Sequence, residues 1–267
     1  MAERILLVGC GKMGSAMLAG WIARGTPPAD ILVVEPHAPP GLPAGVKAVG
    51  GADAMPADFV PDTVILAVKP QMMDQVVPAY ARFAAKACFV SIAAGTTIAK
   101  IERLLGGAKP AVIRCMPNTP AAIGQGITVG CANAAVSAAR REAAARLLEA
   151  VGQVEWVERE SQIDAVTAVS GSGPAYVFLL AECMAAAGAA LGLEPGLAAR
   201  LANATVSGAG ALMKQSGTPP DELRRNVTSP NGTTQAALEV LMAPDGLAPL
   251  MQKALAAAER RSRELAG

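Results

Sequence analysis

Ile5-Leu6-Leu7-Val8-Gly9-Cys10-Gly11-Lys12-Met13-Gly14 decides the fold. Four apolar residues run straight into three glycines spaced G-x-G-x-x-G, and a stretch with helical spacing, Ser15–Arg24, follows. An apolar run without polar alternation suits a strand covered on both faces. Gly9 permits the tight turn out of that strand, Gly11 lets the backbone approach a pyrophosphate, and Gly14 lets helix and strand pack closely. The N–H groups at the helix start favour phosphate charge, so Gly9, Cys10, Gly11, Lys12, Met13 and Gly14 form a candidate dinucleotide-binding turn. Three glycines alone would equally fit a strand–helix turn that holds no ligand. Glu35 weighs against that: it closes the next apolar run, Ile31–Val34, 21 positions after Gly14, near the ~20 of the dinucleotide fingerprint. Its carboxylate is placed for the adenosine ribose hydroxyls, the alternative being a solvated strand end.

The pattern continues outward from this turn. Apolar runs at Thr63–Val68, Cys88–Ser91, Ala111–Arg114 and Ile127–Val129 alternate with helical spacing at Gln71–Ala84 and Thr97–Leu105. Strand–helix alternation predicts a doubly wound, mostly parallel sheet of Rossmann type over residues 1–160. Met13, Met17 and Trp21 recur at helical spacing and read as core. Past Gln162 the strand signals stop. Ala-rich helices are expected near Pro174–Gly192, Pro195–Gln215, Pro220–Val227, Thr233–Met242 and Leu247–Leu265, with prolines at first-turn positions. Residues 161–267 are thus expected to form an all-α domain. Its segment 174–193 is apolar all round and must be enclosed on every side, which predicts a homodimer. The same stretch is long enough to span a membrane, but Glu182 at its centre and the lack of a basic or aromatic flank favour an interface helix.

Composition excludes several classes. The 267 residues carry a net charge of +1, which selects neither nucleic acid nor an anionic membrane. Five widely spaced cysteines without a C-x-x-C pair fit a reducing, cytoplasmic compartment. The N-terminus enters an apolar strand almost at once, with no room for a signal peptide. His37 is the sole histidine, which argues against a histidine general base and histidine-ligated zinc; no metal is expected. The loop Pro36–Gly45 contains no Arg or Lys, so Glu35 would repel the extra phosphate of NADPH. NADH is expected to serve at least as well as NADPH.

Four further segments resemble the pyrroline-5-carboxylate reductase family: Ala67-Val68-Lys69-Pro70-Gln71, Arg114-Cys115-Met116-Pro117-Asn118-Thr119-Pro120, Ser170-Gly171-Ser172-Gly173-Pro174-Ala175-Tyr176, and Val227-Thr228-Ser229-Pro230-Asn231-Gly232-Thr233-Thr234. Their order and spacing cover essentially the whole chain. The resemblance implies an NAD(P)H-dependent imine reductase that makes proline from Δ1-pyrroline-5-carboxylate. It places Ala67, Val68, Lys69 and Pro70 along the nicotinamide half of the cofactor; the Lys69 side chain reads equally as a solvated strand-end charge. Asn118 either donates to the carboxamide or caps a turn. In the family the late loop holds the substrate carboxylate and its final threonine contacts the ring nitrogen, which transfers to Gly232, Thr233 and Thr234, with Ser229 either stabilising the turn or touching the carboxylate. Taken alone, that loop is an ordinary Ser/Thr helix cap, and Ser170–Pro174 is a flexible Gly-Ser joint entering the long helix, which the resemblance instead puts near the substrate.

Two departures from the family pattern stand out. Asn231 occupies a position usually held by glycine, and asparagine tolerates a left-handed backbone. Gln215–Pro220 lacks the acidic residue and histidine often found before this loop. The nearest enzyme alternative, a β-hydroxyacid dehydrogenase, is expected to place a catalytic lysine in the helical half. Lys214 is the only lysine between Lys109 and Lys253 and has no companion motif. A non-catalytic NADH sensor would have no reason to keep Ser229–Thr234.

Overall fold

In a computed structural model, residues 3–37, 41–107 and 109–266 are described. Part of the loop Pro36–Gly45, residues 38–40, lies outside them. Eight strands form one sheet: β1 (Ile5–Val8), β2 (Ile31–Val34), β3 (Lys47–Val49), β4 (Thr63–Leu66), β5 (Cys88–Ser91), β6 (Ala111–Met116), β7 (Gly126–Ala132) and β8 (Gly152–Trp156). They lie in the order β3-β2-β1-β4-β5-β6-β7-β8. All neighbours are parallel except β6 and β7, whose register pairs Cys115 with Gly130. The order reverses between β1 and β4, the switch point at which open α/β sheets hold ligands.

The apolar runs become strands buried on both faces because each supplies two cores. Leu6 and Val8 join Leu32, Leu66 and Phe89 in one cluster, while Ile5 and Leu7 join Val33, Ile65 and Val90 in the other. The helices of this region are α1 (Lys12–Ala23), α2 (Met73–Val76), α3 (Ile98–Leu104), α4 (Ala138–Leu148) and α5 (Ile163–Val166). Met17, Leu18 and Trp21 bury one side of α1, and the Trp21 indole donates to the Leu147 carbonyl at 2.8 Å. The expected helix at Gln71–Ala84 is instead a 3₁₀ turn (Pro70–Met72), the single α turn of α2, and a second 3₁₀ stretch (Val77–Phe83). Pro78 lacks an N–H to donate and breaks the α ladder there. Four of these strands and helices escaped the sequence reading: β3, β8, α4 and the single turn of α5.

After α5 come a wide π-helical turn, Thr167–Gly171, and then α6 (Gly173–Ala190), α7 (Pro195–Ser216), α8 (Pro220–Asn226), α9 (Thr233–Leu241) and α10 (Leu247–Ala266). Of Ser170–Pro174, read alone as a flexible joint, Ser170 and Gly171 lie in the π turn, Ser172 is the bend that precedes α6, and Gly173 and Pro174 open α6. The Thr167 and Ser170 hydroxyls donate to the carbonyls of Ile163 and Val166, which draws the widened turn together. The chain divides into two compact units, 1–171 with 258–267, and 172–257. The sequence-based boundary at 160/161 stops eleven residues short of Gly171 and assigns the end of α10 to the helical half, whereas residues 258–266 pack with the sheet. The Ser262 hydroxyl donates to Asp164 at 2.7 Å, a bond no local pattern could announce.

In the second unit only Ala198 and Ala202 are buried. Phe178 is 65% exposed, and Val177, Leu179 and Leu180 of α6 are open as well. The run 160–190 is long and apolar enough to cross a bilayer by length and composition.

Candidate functional site

The three glycines of the first turn divide by what surrounds them. Gly9 has φ +90°, and a Cβ there would lie 2.9 Å from the Ala67 carbonyl group. A Cβ on Gly14 would come to 2.5 Å from the Gly9 carbonyl oxygen. Around Gly11 nothing lies within 4 Å of that position. Two glycines therefore let the backbone pack on itself, and the third leaves room for something outside the chain. No side chain caps the start of α1, so its first amides face outward.

That room is the edge of a cavity of about 550 Å³ over the carboxyl ends of β1, β2 and β4, within the range of small-molecule and cofactor sites. Gly9, Gly11, Glu35, Ala67, Val68 and Lys69 line it. Glu35 accepts the Cys10 N–H at 2.8 Å, which locks the acid to the glycine turn. Burial, and then the Glu35 charge, push the Cys10 thiol up from its ordinary pKa. Gly14 packs behind the turn, and Lys12 and Met13 open α1 without lining the cavity. Pro70 begins the 3₁₀ turn after β4 and is not on the wall either.

Asn118 is also off this wall. Its Oδ1 accepts the Ile127 N–H at 2.9 Å, tying the loop after β6 to the start of β7. That bond gives the side chain a turn-holding part and leaves the amide NH₂ for a ligand. The same loop is braced from the π turn: a Cβ on Gly171 would lie 2.5 Å from Met116 Cε.

Several wall residues were missed by the sequence reading. Gly50, Gly51 and Asp53 follow β3, and Met72, Gln75 and Tyr80 come from the segment after β4. Asp53 adds a second carboxylate beside Glu35, and Lys69 is the only cation on the wall among the described residues. Burial pushes the Tyr80 phenol up to about 12 against the lowering pull of Arg82, so it stays neutral. The Gly-Gly doublet at the end of β3 was the one local signal for this part of the wall.

In the second unit, Ser229-Pro230-Asn231-Gly232 closes as a β-turn, with the Gly232 N–H donating to the Ser229 carbonyl at 3.1 Å. Asn231 has φ +55°, the left-handed value its third position in a Pro-led turn calls for. The turn survives the exchange of glycine for asparagine. Gly232, not Ser229 or a threonine, is the N-cap of α9, and no side chain caps it. The reading as an ordinary Ser/Thr cap is thereby corrected: the Ser229 hydroxyl occupies the space a Gly232 side chain would need, 2.6 Å from its Cβ position. The Gln235 side chain accepts the Asn231 N–H at 2.8 Å and braces the turn. Thr234 is half-buried in the first turn of α9.

A glycine turn into α1, an acid closing β2 and a cavity at the switch point define a dinucleotide-dependent oxidoreductase of Rossmann type. Residues 160–265 match the family described as pyrroline-5-carboxylate reductase dimerisation, and residues 4–95 match NADP oxidoreductase, coenzyme F420-dependent. The pyrroline-5-carboxylate reductase of Pseudomonas aeruginosa is 47% identical over 98% of this chain and 97% of its own; that of Synechocystis is 39% identical over 99% of each. Among solved structures, a pyrroline-5-carboxylate reductase from Coxiella burnetii matches with a TM-score of 0.92 and 34% identity over the whole of both chains. A Plasmodium falciparum pyrroline carboxylate reductase with NADP bound matches with a TM-score of 0.83 and 25% identity, over 99% and 98%. The chain belongs to the pyrroline-5-carboxylate reductase family. Its helical half is a dimerisation region, which supports a homodimer.

Proposed function

We propose that this chain reduces the carbon–nitrogen double bond of Δ1-pyrroline-5-carboxylate to give L-proline, using a reduced nicotinamide dinucleotide. The observation that carries the reading is the uncapped start of α9, where amides converge behind a turn built around Asn231 and Gly232. Such a start holds one carboxylate without an arginine. Gly232 and Thr233 would offer main-chain N–H groups to the substrate anion, with the Ser229 hydroxyl against the same turn.

The open space at Gly11 and the cavity beside it fit a dinucleotide. The amides from Gly9 to Gly14 would hold the pyrophosphate, and Glu35 the adenosine ribose. Ala67, Val68, Lys69, Pro70 and Asn118 would border the nicotinamide half. When bound, the nicotinamide supplies the hydride. A proton from solvent makes the ring nitrogen an iminium, and hydride added to its carbon yields proline. The protein's share is placement, worth roughly 7–11 kcal/mol when the geometry is good. Thr234 orients the ring nitrogen through its hydroxyl and is the one side chain assigned a catalytic part.

Glu35 and Asp53 on the wall support use of NADH at least as readily as NADPH. Five free cysteines and a substrate that must meet a reduced nucleotide support a cytoplasmic site of action.

Loss of NADH or NADPH absorbance on adding the imine, measured in parallel, tests the reading. Oxidation is expected with both, and a kcat/KM for NADPH far above that for NADH would defeat the cofactor preference. Stable binding of NADH with no oxidation would favour a sensor, and oxidation only with a hydroxy acid's keto form a dehydrogenase. Thr234→Ala is expected to lower kcat/KM for the imine by about tenfold or more, the worth of a hydrogen bond to a charged group. Its NADH affinity should stay near that of the parent, and unchanged kinetics would remove Thr234 from the mechanism.

A further inference from the structure

Arg114 stands in the row Val112, Arg114, Met116 of β6, on the sheet face that carries α3 and Ile163, and it is only 3% exposed. Its Nη1 donates to Glu160 Oε1 at 2.9 Å, and Nη2 lies 3.8 Å from Asp164 Oδ1. Each of those oxygens takes a second donor. Glu160 Oε1 accepts the N–H of Ile98, the first residue of α3, at 2.8 Å. Asp164 Oδ1 accepts the hydroxyl of Ser262, near the end of α10, at 2.7 Å. Beside them Gly95, at φ +68°, leaves 3.0 Å between its missing Cβ and the Leu265 carbonyl oxygen.

A buried ion pair is a poor way to gain stability, since apolar side chains of similar volume often serve a core as well or better. Arg114 faces such a core, so burial alone does not account for it. The charges fix directions. Through the Ile98 N–H they fix the end of the loop 92–97 after β5, and with it the entry to α5 and the last turns of α10; Arg114 itself lies on β6 three residues before the loop 117–118 that leaves that strand. The two loops continue the carboxyl edge of the sheet beyond the cavity on β1, β2 and β4, where a ligand extending from that cavity would run.

We propose that Arg114 is a positioning residue for the nicotinamide end of the site, acting through Glu160, Asp164 and Ser262, and that the last turns of α10 are part of the device. The inference rests on the proposed reading that a reduced nicotinamide reacts at this edge.

Ser262→Ala and Ser262→Thr in the full chain test it, together with the pair Arg114→Met/Glu160→Gln, which keeps the core filled if a single change misfolds. The readouts are Tm, NADH affinity by fluorescence, kcat, KM and the isotope effect on kcat with NADH deuterated at the transferring position. Ser262→Ala is expected to lower kcat by about ten- to a hundredfold, the consequence of a small misplacement of reacting atoms. The isotope effect should rise, because hydride transfer becomes limiting. NADH affinity should stay within about twofold, since Gly9, Gly11 and Glu35 take no part in the network. Ser262→Thr keeps the hydroxyl and should restore kcat, and the pair should fold yet show the same slow, isotope-sensitive step. Unchanged kcat in Ser262→Ala and the pair, or a loss that follows Tm alone with no rise in isotope effect, would overturn the proposal. A parent chain inactive on the imine would overturn the reading of the reaction as well, and is told apart because every variant then fails with it.

Discussion

The two compact units of this chain solve the burial problem in opposite ways. The sheet unit closes two cores inside one polypeptide, with β1, β2, β4 and β5 covered on both faces. The helical unit leaves Val177, Phe178, Leu179 and Leu180 open in succession and buries only two alanines. Exposed apolar area on that scale marks an interaction surface, and the dimerisation family spans this region. The sheet unit is thus packed on both faces within one copy, whereas the helical unit leaves an apolar face of the kind a second copy would cover.

Disturbing the incomplete half should have the largest effect. Phe178→Glu places a charge on the open face of α6, and dimers should dissociate at concentrations where the parent is intact. The dimer Kd should rise by about a hundredfold or more, in line with the ~3 kcal/mol carried by a central aromatic at an interface, and imine reduction should fall in step with the loss of dimer. NADH should still bind, because the sheet unit packs without α6. Sedimentation with a parallel NADH titration checks both, and a monomer at full activity would end the contrast.

A backbone clash in the self-contained half should cost less. Gly14→Ala forces a methyl against the Gly9 carbonyl oxygen, 2.5 Å from its ideal place, and neither atom is the free end of a side chain. Overpacking of about 1–3 kcal/mol should weaken NADH binding by roughly ten- to a hundredfold. The dimer should be unaffected. Gly11→Ala meets no protein atom, so any loss of NADH affinity there reports the ligand's approach alone.

The smallest effect belongs to charge on the cavity wall. Glu35→Gln keeps an oxygen for the Cys10 N–H but removes the negative charge. The NADPH-to-NADH ratio of kcat/KM should rise by about threefold to tenfold, the scale of a single partly exposed charge pair. A ratio that does not move would shift the discrimination to Asp53.

What the sequence disclosed follows the same division. The parallel strands were legible because burial on both faces leaves unbroken apolar runs, and the glycine turn because each glycine has a local task. β8, Gly152–Trp156, escaped because it is a half-buried edge strand that alternates Gln153 and Glu155 with Val154. α4 escaped because its sequence, Ala138–Leu148, is rich in arginine and alanine, with Ala144, Leu147 and Leu148 as its buried residues. β3 has three residues, too few for a pattern. Of the candidate site, the β1–α1 turn, Glu35 and the Asn231 turn were readable from local chemistry. Asp53 and Tyr80 were not, because strand order and register bring them to the cavity. The Arg114–Glu160–Asp164–Ser262 network joins residues up to 148 positions apart, and a motif shows only its first member.

The amides at the start of α9 are the proposed anchor of a small carboxylate. A crystal structure with proline and oxidised NAD bound tests this most directly. The product's carboxylate should accept the Gly232 and Thr233 N–H groups, with its ring nitrogen at the Thr234 hydroxyl and its ring against the nicotinamide. Proline held by other residues, with the 229–234 turn facing away from the nucleotide in every subunit, would contradict it.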